Sequence, residues 1–205
     1  MDLIFTLIAI SMGIFALKNA EQRRRIGLLS QALQPYQIEK HMETLTQGYL
    51  RALGEADESR QEQVWTVLEG TERALAEQFT RLATDIARLP EADARISRWS
   101  IALPLSTKLL PASTFDLREA LVIHARGVGS AVQNTRGLNR RDKAFLLSAE
   151  LFLFQHTCHW YCRSRAVASA RLQLRHQTTY AQVMSAVSPA TRRSWDVLLS
   201  NFAKN

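Results

Sequence analysis

Glycine and proline are scarce, at eight and five in 205 residues, whereas a sandwich or barrel needs turn residues about every eight to twelve positions. That excludes a hairpin-rich β architecture in favour of a few long helices. Cysteine is scarcer still. Cys158 and Cys162 are the only two, too few for a small secreted fold held by several bridges, and a helical spacing of four is poor disulfide geometry. Charge is absent from Leu3 to Leu17, and no acidic residue lies between Glu150 and Asp196. Catalytic signatures are missing too: the string Arg126, Gly127, Val128, Gly129 is half of a dinucleotide fingerprint and sits inside a predicted helix with no strand before it. The sequence therefore assigns no catalytic residue and no cofactor.

What is present is an ordinary globular composition, with 46% hydrophobic and 22% charged residues, which excludes wholesale disorder and a polytopic membrane protein. The length suits one folded unit, with or without an appendage. The charge-free run LIFTLIAISMGIFAL rises about 22 Å as a helix, and Lys18 and Ala20 extend it toward the roughly 30 Å of a bilayer core. Length alone also fits a signal-peptide core or a buried helix. The flanks favour an anchor, because Asp2 precedes the run while Lys18, Arg23, Arg24 and Arg25 follow it, the reverse of a secretory signal. The expectation is a single span over residues 3–17, with the N-terminus outside and the body in the cytoplasm. A bacterial inner membrane is the expected setting, since no organelle signal is present and Arg outnumbers Lys by 21 to 5.

Beyond the anchor, the periodicity predicts an all-α body. Ile38, Met42, Leu45, Tyr49 and Leu53 form one helical stripe; Val64, Leu68, Leu75, Phe79, Leu82 and Ile86 form another that stops at Pro90. Residues 36–54 and 58–89 thus read as an acidic helical hairpin, with a coiled-coil contact to another chain as the alternative. The organisation expected is an anchor over 1–20, the hairpin within 21–95, a proline-containing connection over 96–114, and a basic helical region over 115–205 packed into the same body. For that last region, Ser113 and Asp116 have capping-box-like spacing, with Asp in the third position, ahead of a helix over 115–134, and Asn139 with Asp142 repeats the cap signal. A helix apolar nearly all round from Ala144 to Cys162 runs on to about Ser185, and Ser188 with Pro189 opens a last helix.

Three sets of residues carry chemistry. Cys158, His159 and Cys162 fall within one helical arc of about 100° and could offer three ligands to a metal, although a fourth is lacking and buried thiols and imidazoles look the same. His124 and Glu150 face one another if a hairpin turns near residue 137, as a buried polar pair. Arg163, Arg171 and Arg175 project from one side of the expected long helix and suit phosphate. Residues 1–95 hold 11 Lys and Arg against 14 Asp and Glu, and residues 96–205 hold 15 against 5. The alternative expectation is that the acidic hairpin covers the basic half. The resulting expectation is a non-enzymatic, membrane-anchored interaction or scaffold protein that binds a protein partner or a second copy. The alternatives are a tethered module for phosphate, anionic lipid or, less favoured, nucleic acid, and a metal or thiol sensor.

Overall fold

A computed structural model describes residues 2–200, and its body is an all-α bundle. Helix α1 (Asp2–Leu33) runs unbroken through the expected boundary at residue 20. Residues 3–17 are exposed on every side, whereas Gln22 and Leu29 are buried against the body. Pro35 then forces a turn, since it disfavours helical geometry in the residue before it. The hairpin follows as α2 (Ile38–Gly54) and α3 (Glu58–Ile86), and Asp57 caps α3 by accepting from the Arg60 amide. The two predicted stripes form its buried face. One polar residue interrupts that face: Glu72, on α3, accepts from Tyr49 Oη at 2.6 Å and pairs with Lys143 of a later helix. Burial and this carboxylate together raise the Tyr49 hydroxyl far above its ordinary pKa.

The connection contains elements the helical periodicity missed. A one-turn α4 (Glu91–Ala94) leads into β1 (Arg95–Ser97), and a short α5 (Ser106–Leu109) and a 3-10 turn lead into β2 (Thr114–Asp116). The strands pair antiparallel, with Ile96 opposite Phe115. Three-residue strands are too short for period-two alternation to register in a sequence. Phe115 then meets Trp160 edge-on at 5.0 Å between ring centres, and Trp160 Nε1 donates to the Ser97 carbonyl at 2.8 Å.

Asp116 caps α6 (Leu117–Val132) and Asn139 caps α7 (Arg140–Cys162). The expected continuous helix to Ser185 breaks twice. Ser164, whose hydroxyl accepts from the Val167 amide, opens α8 (Arg165–His176). Gln177 then turns left-handed at φ 52°, and a Thr179–Gln182 capping box starts α9 (Tyr180–Ala186). Ser188 and Pro189 open α10 (Pro189–Ser200), with the Ser188 hydroxyl accepting from Thr191. One core cluster draws residues from Leu29 of α1 to Leu198 of α10. Within it α3 packs against α2 and α6, while α7 packs against α1, α6, α8 and α9.

Gly127 marks a close approach of buried polar groups in this core. A methyl group there would lie 2.4 Å from Glu150 Oε2 and 2.7 Å from Thr191 Oγ1, whereas one at Gly129 would meet nothing within 4 Å. Gly127→Ala is expected to cost on the order of 2 kcal/mol by overpacking. Gly129→Ala, in the same helix, is expected to stabilise by up to about 1 kcal/mol. Urea unfolding midpoints of the two variants check the contrast, and equal shifts would contradict this packing.

Candidate functional site

The buried polar residues do not form the pair that the register suggested. His124 Nε2 lies 2.9 Å from Thr157 Oγ1, seven residues further along α7 than Glu150. Glu150 instead accepts from the Ser188 amide at 3.0 Å and from Thr191 Oγ1 at 2.8 Å, the first just before α10 and the second in its first turn. Both side chains are fully buried. Burial lowers His124 to about 3, with the His156 charge adding to the effect, so the imidazole is neutral. Burial also raises Glu150, and its bonds from Ser188 and Thr191 offset part of that rise. The hydroxyls beside them are committed to buried hydrogen bonds: Thr157 Oγ1 donates to the Leu153 carbonyl and Thr191 Oγ1 to Glu150. The cluster ties α6, α7 and α10 together, which is a structural task.

The metal candidates and two of the three arginines meet elsewhere. Cys158, His159 and Cys162, at the end of α7, and Arg163 and Arg171 form one wall of a cavity of about 770 Å³. The other wall comes from residues distant in sequence, with apolar Ile26, Leu29 and Leu33 of α1 and Ile38 of α2 beside polar Ser30, Gln34 and Gln37. Arg163 is positioned by donating to Gln22 Oε1 of α1, so the same side chain lines the cavity and fastens the anchor helix to the body. Arg171 Nη1 lies 3.0 Å from His159 Nδ1. An arginine can only donate, so this ring nitrogen is the acceptor and the imidazole is neutral. Desolvation, then Arg171 and Arg175, lower His159 to about 4. The break after α7 leaves Arg163 at its C-cap and puts Arg171 and Arg175 on α8, where Arg175 lines a neighbouring depression with Glu39 and Glu43.

These surroundings decide what the wall can hold. Metal binding by cysteine requires the thiolate. Burial pushes Cys162 up to about 11, against a smaller opposing effect of Arg163, Arg25 and Arg171. The fully buried Cys158 is raised further, again by desolvation first. The nearby guanidiniums repel a divalent cation, and among the described residues no three metal-binding side chains converge. An anionic group on an apolar tail matches the cavity better: Arg163, Arg171 and Lys40 supply donors, only Glu39 opposes them, and the α1 wall supplies apolar surface.

No known protein family, curated protein or solved structure is detectably similar to this chain.

Sequence reasoning found one wall of the cavity and missed the other. The α7 residues share a helical arc, so their clustering is local and readable. Nothing in the spacing of Ile26, Leu29 and Leu33 says which helix they face. The Tyr49–Glu72–Lys143 link was missed as well, although a lone Glu on the buried stripe of α3 was a usable signal, because a buried carboxylate needs a partner. Part of the basic half is met by the acidic hairpin, through Arg140 with Glu62 and Glu69 and through Lys143 with Glu72. Among the described residues, Arg163, Arg171 and Arg175 have no carboxylate at ion-pair distance.

Proposed function

We propose that this is a non-enzymatic, single-pass membrane protein whose helical body is held rigidly beneath the bilayer to bind another protein or a second copy of itself. The observation that carries the reading is the continuity of α1. One helix supplies an apolar run exposed on all sides and, without a break, a buried contact with the body core. Among the described residues it is the one helix long and apolar enough to cross a membrane. Exposure of so much apolar surface has no stable counterpart in water. Burying a Leu, Ile or Phe side chain in hydrocarbon contributes roughly 1.5–3 kcal/mol, and ten large apolar side chains between Leu3 and Leu17 are exposed.

The arginine cluster serves this arrangement twice. Arg23 is exposed and suits a cytoplasmic leaflet. Arg24 pairs with Asp93 at 2.7 Å, and Arg25 donates to the Tyr161 carbonyl and Thr107 Oγ1, each at 3.2 Å. The flank that orients the span thus also docks it. That charge order supports an N-out orientation with a cytoplasmic body, and the excess of Arg over Lys with no organelle signal supports a bacterial inner membrane.

Deleting residues 2–17 should release the body into the soluble fraction with its helical circular dichroism intact, while the full chain resists alkaline carbonate extraction. A reporter active only in the cytoplasm should work when fused after Asn205. A full chain that is soluble without detergent, or a mature protein beginning after Ala20, would contradict the proposal.

A second reading is favoured by the cavity itself, where three cations face one carboxylate above an apolar wall. In this reading the body captures an anionic amphiphile, with Arg171 meeting its phosphate. Arg171→Gln should weaken binding of short-chain phosphatidic acid about tenfold in calorimetry, the worth of one charge-assisted hydrogen bond. A single-stranded oligonucleotide should not compete. Equal affinity in wild type and variant would sink this second reading.

A further inference from the structure

The stretch from Trp99 to Leu110, between β1 and β2, has a surface unlike the rest of the body. Trp99, Ile101, Leu103, Leu105, Leu109 and Leu110 are all exposed, Ile101 at 59% and Leu109 at 72%. No acidic residue interrupts them. Elsewhere on the described body, exposed large apolar side chains occur singly, on helices. Scattered apolar residues need no explanation, but a contiguous patch does.

Its place in the fold says what covers it. The Leu105 amide donates to Glu21 Oε2 at 3.1 Å, and Thr107 Oγ1 accepts from Arg25 at 3.2 Å. Leu105 and Lys108 line one depression with Leu17, and Trp99, Ile101 and Leu103 line another with Lys18. The segment therefore flanks α1 on two sides from the last residue of its charge-free run. Leu17 to Glu21 is a rise of about 6 Å along the helix, within the depth of a headgroup layer. The position is imposed rather than incidental: Leu105 sits at φ 59°, a left-handed conformation that a bulky residue adopts only when its surroundings require it.

We propose that residues 99–110 are a second membrane contact, a wedge lying in the headgroup and acyl boundary of the leaflet from which α1 emerges. The proposal rests on the anchored reading of α1. Tryptophan suits that boundary because its ring is apolar and its N–H polar, and leucine and isoleucine suit the acyl side. The charged side chains facing the same level are Lys18, Arg23 and Lys108, which attract anionic headgroups, and Glu21, which is engaged by Leu105 and Arg25. A protein partner on this patch would have to enter between body and bilayer, so lipid is the occupant the geometry favours.

Trp99 makes the test direct, because Trp65, Trp160 and Trp195 are buried. The full chain is reconstituted into phosphatidylcholine and phosphatidylglycerol vesicles whose acyl chains are brominated either near the headgroup or near the chain end. Tryptophan emission should be quenched by the shallow bromines more than by the deep ones, and Trp99→Phe should lose most of that quenching. Flotation of the same vesicles after carbonate washing reports the anchor separately. Protein that floats while Trp99 is quenched at neither depth overturns the wedge and leaves the anchor standing, with a protein partner then the better occupant. Protein that does not float overturns the anchor, and the wedge with it. Quenching equal in Trp99→Phe and wild type assigns the signal to a buried tryptophan and also overturns the wedge.

Discussion

As the proposed membrane anchor, helix α1 has to satisfy two environments with one unbroken backbone. Between Leu3 and Leu17 its side chains demand hydrocarbon on every face, and from Gln22 to Leu33 one face must fit a protein core. A helix satisfies its own backbone in lipid, so the change of solvent costs it no hydrogen bonds. Its 32 residues rise about 48 Å, roughly a bilayer core plus the depth of the body contact. Much of the remaining structure is arranged around that contact. Arg25 and Gln22 meet the end of α7 through Tyr161 and Arg163. Glu21 fixes the loop before α5, and Leu29 and Ile26 close the cavity over Cys158 and Arg171. Removing the anchor leaves these contacts in place, but bending α1 at Lys18 would uncouple the body from the bilayer.

Charge within the body is partly self-satisfied and partly left over. The start of α7 spends Arg140 and Lys143 on carboxylates of α3, which fastens the acidic hairpin to the basic half. Beyond its other end this changes: Arg163 at the C-cap and Arg171 on α8 engage a neutral amide and a neutral imidazole, with no carboxylate at ion-pair distance among the described residues. The difference between the two ends of α7 leaves the cavity mouth positively charged, whereas Arg140 and Lys143 are paired. The thiols between these arginines are held protonated by burial, which keeps Cys158 and Cys162 as small apolar wall atoms.

The hairpin of α2 and α3 was legible because its apolar stripes repeat at helical spacing over many turns, and the caps Asp57, Asn139 and Ser188 lie where polar residues precede apolar runs, whereas α6 is capped by Asp116, three residues beyond the Ser113 that the spacing suggested. The breaks after Cys162 and His176 were not. Neither contains glycine or proline; one depends on Ser164 and the other on a glutamine in the left-handed region, and both residue types also occur inside helices. The site was half legible for a similar reason. One helix shows its own arc of Cys158, His159 and Cys162, but the facing wall from α1 and α2 lies more than a hundred residues away in sequence. The His124 register failed because it assumed parallel axes. Gly127 meets Glu150 while His124 meets Thr157, an offset that widens along the hairpin as it does when helices cross.

Amide hydrogen exchange across α1 in membrane-reconstituted full-length protein tests the central claim, that one rigid helix joins bilayer and body. The account predicts protection that continues without interruption from the span through Lys18, Glu21 and Gln22 to Leu29. Fast exchange confined to residues 18–22, flanked by protected segments on both sides, would show a flexible tether in place of a continuous helix and would contradict it.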